Sequence, residues 1–332
     1  MEGKERGVPE EVTAVKRFWV KNYKSLRNIA LDFPTKLTVV AGPSGSGKTA
    51  LTEAFLLLSD AAWGRAKWRE ELRGVSVGIE LEHGCSAAYE VRIDETAQTG
   101  FEISCPYVDA PGLVRPDQLG GVVGAVLYSF LKDAVVILSI DWKAVRSPQP
   151  KPLVRQERLL PDASNFVPYL YTIMKGKIPE SLVESVRYVF PDVSAMWFKE
   201  EGGRLLLKLA TSSGVELDQT NMPAGVLKTL IVETVLHTNP VLVVIDEFEN
   251  NLHPEAQQFL MDELRSRGVY AVLMTHSTVP LDYVKTPSEV VLLSLENGET
   301  KARRLGKEVE ERLKKSGLTL SELIESGLLE TA

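Results

Sequence analysis

Two short stretches of this chain carry the residue types that phosphate chemistry needs. The first is GPSGSGKT, Gly42 to Thr49, which matches G-x-x-x-x-G-K-[ST] in full. Glycines let backbone N–H groups curl around a phosphate, and a helix opening at the same point adds its partial positive charge. The residues placed around the nucleotide are Gly42, Pro43, Ser44, Gly45, Ser46, Gly47, Lys48, Thr49 and Ala50. Lys48 is expected to reach the β- and γ-phosphates, and Thr49 to set its hydroxyl on Mg²⁺. A Gly-Ser linker could match by chance, but it would not sit between an apolar strand and a helix.

The second stretch is VLVVIDEFENNLHP, an apolar run ending in Asp246 and Glu247. Acids at the C-terminal end of a parallel strand face the crevice where open α/β sheets bind ligands. Asp246 fits the metal-holding acid of such sites. Glu247 fits a general base for the water that attacks the γ-phosphate. The plain alternative is a pair of solvated acids closing a strand. VYAVLMTH then ends in His276, which returns an imidazole to the same crevice, within reach of the γ-phosphate. A strand-end histidine bonded to nearby backbone is the alternative there. His253, His237 and His83 are given no catalytic role.

Positioning these groups requires strands and helices in alternation. VTAVKRFWVKNY, LRNIALDF and KLTVVAG read as strands, and a helix opens at Lys48. Residues 75–93 read as an antiparallel hairpin and 94–118 as loop. A helix is predicted at 119–131, before the buried strand AVVILSI. Residues 141–158 read as a Pro-rich, basic surface connection, and about 165–188 as helix. SAMWFKEEGGRLLLKLA reads as a hairpin turning at Gly202-Gly203. Helices at 224–237 and 254–267 alternate with the strands that end at the acids and at His276. The pattern predicts an α/β P-loop fold with a mainly parallel sheet flanked by helices, an antiparallel β subdomain and a helical lobe.

The bulk composition narrows the setting. The 332 residues are 44% hydrophobic and 25% charged, with a formal charge of −7. A chain this acidic would meet nucleic acid through a local patch, not its whole surface. Cys85 and Cys105 have neither metal nor disulfide-framework spacing, which fits a reducing cytoplasm. The opening MEGKERGVPEEV lacks an apolar core, so no signal peptide is expected. LGGVVGAVLYSFL, residues 119–131, is too short to span a bilayer, and no membrane association is expected. No heptad run suggests a coiled-coil arm.

Together these motifs resemble the SMC/RecF-like ATPases, a branch of the ABC-type P-loop fold. VKNYKSLRNIALDF before LTVVAGPSGSGKT resembles the opening of such chains. IDEFENNLHPEAQQFL and THS resemble the Walker B, D-loop and switch-histidine segments of stand-alone members without the SMC arm. The resemblance implies ATP and Mg²⁺ as cofactors, and a dimer in which two chains sandwich two ATP molecules. It implies that each site takes a signature helix start from the partner, here NMPAGVLKTL, residues 221–230, with Ala224 and Gly225 offering backbone N–H groups. The sequence departs from the pattern in three places. Pro223 stands where a serine hydroxyl is usual, Ser44 where Asn is common, and no Q-loop glutamine follows AVVILSI. On this reading residues 1–11 are a tail and 12–306 the ATPase domain. Within it 12–108 form an N-terminal lobe, 109–235 a helical or insert lobe and 236–306 the Walker B and switch-histidine part; 307–332 are C-terminal helices.

Lys143, Arg146, Lys151, Arg155 and Arg158 concentrate positive charge in one connection, with Lys21, Lys24 and Arg27 near the first strands. They are a candidate DNA surface, sequence-independent and salt-sensitive, or simply a solvated loop. Trp63 and Trp68, beside Arg65, Lys67 and Arg69, are a second candidate surface or buried core. The expected function is an ATP-dependent dimerising switch in DNA maintenance, repair or defence. The alternatives are a scaffold whose ATPase times assembly with an unidentified protein, and a transporter subunit, against which the missing Q-loop glutamine argues.

Overall fold

The computed structural model describes residues 14–62, 72–83, 85–93, 101–105, 108–114, 135–151 and 155–327. The helix expected at 119–131 and the Trp63–Arg69 cluster lie outside the described residues. The first part of the chain is β1 (Ala14–Tyr23), β2 (Leu26–Asp32), β3 (Leu37–Ala41), α1 (Lys48–Ala62), β4 (Val75–His83) and β5 (Cys85–Ile93). β1, β2, β4 and β5 form an antiparallel sheet in the order β2-β1-β4-β5. The stretch 94–118, expected as loop, contains an antiparallel pair, β6 (Phe101–Cys105) and β7 (Val108–Val114).

The central sheet runs β16-β15-β3-β14-β13-β8. Its members are β8 (Val135–Leu138), β13 (Leu242–Ile245), β14 (Tyr270–Thr275), β15 (Val290–Glu296) and β16 (Glu299–Arg304), with β3 among them. Every pairing from β8 to β15 is parallel, and only β16 is antiparallel, through its hairpin with β15. The sheet is covered on both faces, so its strands are continuously apolar, and the two-residue period sorts them. Leu37, Val39, Val243, Ile245, Ala271 and Leu273 enter one core. Val40, Leu242, Val244, Val272 and Met274 enter the other. The second core is closed by α1 and the β1–β4 sheet, where the rings of Phe18 and Phe55 stack.

The first core is closed by helices and a small antiparallel sheet. Asp141 caps α2 (Trp142–Arg146), accepting from the amides of Lys143 and Ala144. β9 (Gln149–Pro150) pairs with β11 (Arg204–Thr211), which lies between β10 (Val193–Glu201) and β12 (Glu216–Asp218). The connection 141–158 therefore contains regular structure, a correction to its reading as a loop. The helix expected over 165–188 is two, α3 (Phe166–Ile173) and α4 (Glu180–Val189), interrupted where Gly176 takes φ +78° and Pro179 precedes the second helix. α5 (Ala224–Leu236) and α6 (Pro254–Ser266) complete this layer, and α7 (Lys307–Ser316) and α8 (Leu320–Glu325) follow the sheet. No helix among the described residues is long and apolar enough to cross a membrane.

Every residue of α5 from Val226 to Leu236 is buried, including Lys228 and Glu233, each 1% exposed. Burial, reinforced by the charge of Glu263, pushes the Glu233 carboxyl from 4.5 up to about 7. A raised pKa means that the fold favours the neutral acid. That stabilisation is complete below about 4.5 and is lost as pH rises through 7. Glu233→Gln, which stays neutral, should therefore stabilise the protein at pH 8 by up to about 3 kcal/mol and very little at pH 5. Thermal melts of both proteins across that range check this; equal shifts at the two pH values would refute it.

Candidate nucleotide site

The parallel sheet brings the sequence-distant motifs together because its strands point one way. The loop 42–47 follows β3, His276 follows the adjacent β14, and Asp246-Glu247 follow β13 on the far side of β14. All three leave the C-terminal edge, where the strand ends and the α1 N-terminus converge. Backbone bonds hold this edge in register: Asp246 N donates to Leu138 O at 2.8 Å, and Phe248 N to Met274 O at 2.8 Å.

The loop has the shape its glycines permit. Gly45 and Gly47 take φ +81° and +104°, a region that side chains disfavour. Pro43, Ser44, Gly45 and Thr49 are exposed at the mouth, whereas Ser46, Lys48 and Ala50 are buried. Lys48 Nζ donates to Gly42 O at 2.6 Å and Pro43 O at 2.9 Å and lies 3.3 Å from Ser46 Oγ, so the ammonium spans the inside of the loop. Burial lowers its pKa, and the carboxylates of Glu249 and Asp246 oppose that shift.

A remote strand clamps the loop. Thr300, in β16, is 2% exposed, and its Oγ1 donates to Ser46 O at 3.0 Å. The same hydroxyl lies 2.8 Å from Ser25 Oγ, and Thr300 N donates to Ser25 O at 2.8 Å. A Cβ on Gly47 would overlap Thr300 Oγ1, so glycine is required there for packing as well as for φ. The β1–β2 turn, the loop and β16 thus form one unit.

On the acidic side, burial raises the Asp246 pKa, and the charge of Glu247 adds to this; bonds from the Glu247 amide and the Thr52 hydroxyl oppose it. Glu247 is exposed, has φ +47°, and accepts from Asn250 Nδ2 at 2.6 Å through Oε2. His276 is exposed, and its backbone N donates to Glu249 Oε1 at 2.8 Å. Glu249 Oε2 is buried without a hydrogen-bond partner among the described residues. The arrangement offers an open loop of amide donors, a buried ammonium, and two acids at the end of one strand. Thr49 and Asp246 supply only oxygen donors, which suits a hard divalent cation that takes its remaining ligands from phosphate and water.

Ala224 and Gly225 open α5 after Pro223, which has φ −56° and ψ 138°, and no side chain caps this end. They lie beside the turn after β13: a Cβ on Gly225 would be 2.6 Å from Asn251 O. The glycine is thus demanded by packing within its own chain, whatever else the helix start meets. The segment after β8, where a Q-loop glutamine would stand, has Asp141 engaged as a helix cap.

Four groups were absent from the sequence reading. Glu249 carried a weak signal, as a third acid in IDEFE. Lys228 carried a stronger one, a lysine inside an otherwise apolar helix. Thr52 and Thr300 carried none. The expected basic surface is largely committed. Arg146 donates to Thr220 O at 2.7 Å, Lys151 pairs with Glu200 at 2.8 Å, Arg158 approaches Asp60 at 3.9 Å, and Lys24 pairs with Glu53. Lys143, Arg155, Lys21 and Arg27 are exposed.

Comparison with known proteins meets the same two halves of the site. A family model described as "AAA domain" matches residues 19–108, which contain the phosphate loop. A second, "AAA domain, putative AbiEii toxin, Type IV TA system", matches 137–282, which contain α5, the acids and His276. Each model spans less than half of the chain, so the likeness is to AAA domains in two separate stretches. Solved SMC heads share its fold. One from Pyrococcus furiosus, with an extended coiled coil and bound to the C-terminal domain of ScpA, has a TM-score of 0.63 at 12% identity, over 92% of this chain and 99% of that one. Another, bound to the C-winged helix domain of ScpA, has a TM-score of 0.62 at 15% identity, over 90% and 99%. The SMC head domain of Thermotoga maritima has 0.51 at 12%, over 88% and 99%. The fold is that of the SMC-head P-loop ATPases, and the loop clamped by Thr300 is its candidate nucleotide loop.

Thr300→Val keeps the shape and removes the hydroxyl. Loss of its bond to Ser46 should cost about 1 kcal/mol, or roughly five-fold in affinity for a fluorescent ATP analogue. Unchanged affinity in a titration would show that the clamp does not shape the loop.

Proposed function

We propose that the protein hydrolyses ATP with Mg²⁺ and works as an ATP-dependent dimerising switch. The observation that carries this reading is the convergence of Lys48, Asp246, Glu247 and His276 on one sheet edge, with the uncapped start of α5 on the same side of the turn after β13. In this reading the amides of residues 44–49 and the Lys48 ammonium bind the β- and γ-phosphates. Thr49 and Asp246 hold Mg²⁺, which would neutralise phosphate charge when bound. Glu247, steered by Asn250, accepts a proton from the attacking water. His276 faces the γ-phosphate from β14, its backbone anchored on Glu249. Ala224 and Gly225 present amides to the nucleotide held by a partner chain. Pro223 supplies no hydroxyl, so the trans contact is made by backbone and helix dipole alone.

The output is conformational, because the phosphoryl group passes only to water. DNA maintenance or defence remains the first setting we propose, with Lys143, Arg155, Lys21 and Arg27 as the exposed cations. One observation favours a second reading, a switch that times assembly with a protein partner: Arg146, Lys151, Arg158 and Lys24 are already engaged with groups of their own chain. DNA-stimulated turnover that falls steeply with salt supports the first reading, and turnover indifferent to every DNA form supports the second.

Glu247→Gln should bind ATP, fail to hydrolyse it, and accumulate as a stable dimer in light scattering. A strict monomer at high concentration would sink the sandwich. Adding Ala224→Asp should disperse that dimer, because the helix start then carries a charge that repels phosphate, while binding of a labelled nucleotide by the monomer persists.

A further inference from the structure

Lysine is almost never fully buried unless it is paired, and Lys228 is 1% exposed. Its Nζ donates to Glu247 O at 2.7 Å and to Asn250 O at 3.0 Å. Both carbonyls belong to the turn after β13 that carries the two acids. This turn holds two non-glycine residues in the left-handed region, Glu247 at φ +47° and Asn251 at φ +64°. A non-glycine residue there is strained and persists only where its surroundings over-determine it. Lys228 supplies part of that constraint by capturing the carbonyl of Glu247 itself.

The first turn of α5 meets the same turn a second time, through the close approach of Gly225 to the Asn251 carbonyl. Helix and turn are thus joined by one backbone contact and one buried ammonium. Burial lowers the pKa of that ammonium to about 8, and the charges of Glu249, Glu247 and Asp246 oppose that shift. Among the described residues its hydrogen bonds go to two carbonyls of the turn, so it acts on chemistry through Glu247.

We propose that Lys228 is a positioning residue. It fixes Glu247 in its strained turn and links that turn to the helix start that completes the partner's nucleotide site. The inference rests on the reading of Glu247 and α5 given under Proposed function. It adds a physical link between the two sites of a dimer: a nucleotide that draws on the α5 start of one chain loads the lysine that holds that chain's own base.

The test is single-turnover ATP hydrolysis by the full chain carrying Lys228→Met, Glu247→Gln, both, or Lys228→Arg. Melting temperature and affinity for a fluorescent ATP analogue are measured alongside. Lys228→Met should slow hydrolysis by on the order of 100-fold, with nucleotide affinity within about two-fold of the parent. Lys228→Arg should recover most of the rate, because a guanidinium can donate to both carbonyls. The double variant should be no slower than Glu247→Gln alone, since both changes remove one function. An active Lys228→Met, a loss that multiplies with that of Glu247→Gln, or a folded Lys228→Arg as slow as the methionine variant would overturn the proposal. If Glu247→Gln hydrolyses at the parental rate, the assignment of the base fails first and this inference with it. If Glu247→Gln is inactive but Lys228→Met is fully active, only the positioning role fails. Should Lys228→Met not melt cooperatively, Lys228→Gln and Lys228→Arg carry the same comparison.

Discussion

The site depends on keeping two buried ammonium groups beside carboxylates at one sheet edge. Lys48 and Lys228 are 3% and 1% exposed, and each lies near Glu249 and Asp246. Removing a charge from water costs several kcal/mol unless hydrogen bonds and opposite charge replace the solvent. Here main-chain carbonyls do most of that work: Gly42 and Pro43 for Lys48, Glu247 and Asn250 for Lys228. Each lysine therefore shapes a piece of backbone as the condition of its own burial. One holds the phosphate loop, the other the turn of the acids.

The parallel sheet makes that arrangement possible. Its strands alternate between two cores, so a one-residue slip of β13 would exchange Val243 and Ile245 for Leu242 and Val244 and turn Asp246 away from the edge. Packing on both faces thus sets the direction of the acids as well as the stability of the fold. The backbone bonds from Asp246 to Leu138 and from Phe248 to Met274 carry the register across three strands.

Two contacts extend the site beyond its motifs. Thr300 ties the phosphate loop to β16 and to the β1–β2 turn, so the antiparallel sheet is bonded to the loop through Ser25, Thr300 and Ser46. Gly225 and Lys228 tie α5 to the turn after β13. The loop and the turn are thus each tied to a larger layer, the loop to the β1–β4 sheet and the turn to the buried helical layer.

The sequence by itself determined the local parts. The loop at Gly42–Thr49, the apolar strand ending at Asp246-Glu247 and the strand ending at His276 were legible, because glycine pattern and hydrophobic period are local properties. So was the alternation that makes a parallel sheet. The interruption at Gly176, the β6–β7 pair and the structure within 141–158 were less legible, because pairing with β11 and burial against other elements override weak local propensity. Only the tertiary structure decided that Glu249 backs His276, that Thr300 braces the loop from far along the chain, and that Lys228 grips the turn of the acids. The same holds for the basic stretch: its cations read as one patch, yet Arg146, Lys151 and Arg158 turn to partners remote in sequence. The physical reason is common to all of these. A buried charge or hydroxyl must find a partner, and which partner is near depends on how distant segments pack, not on the residues beside it in the chain.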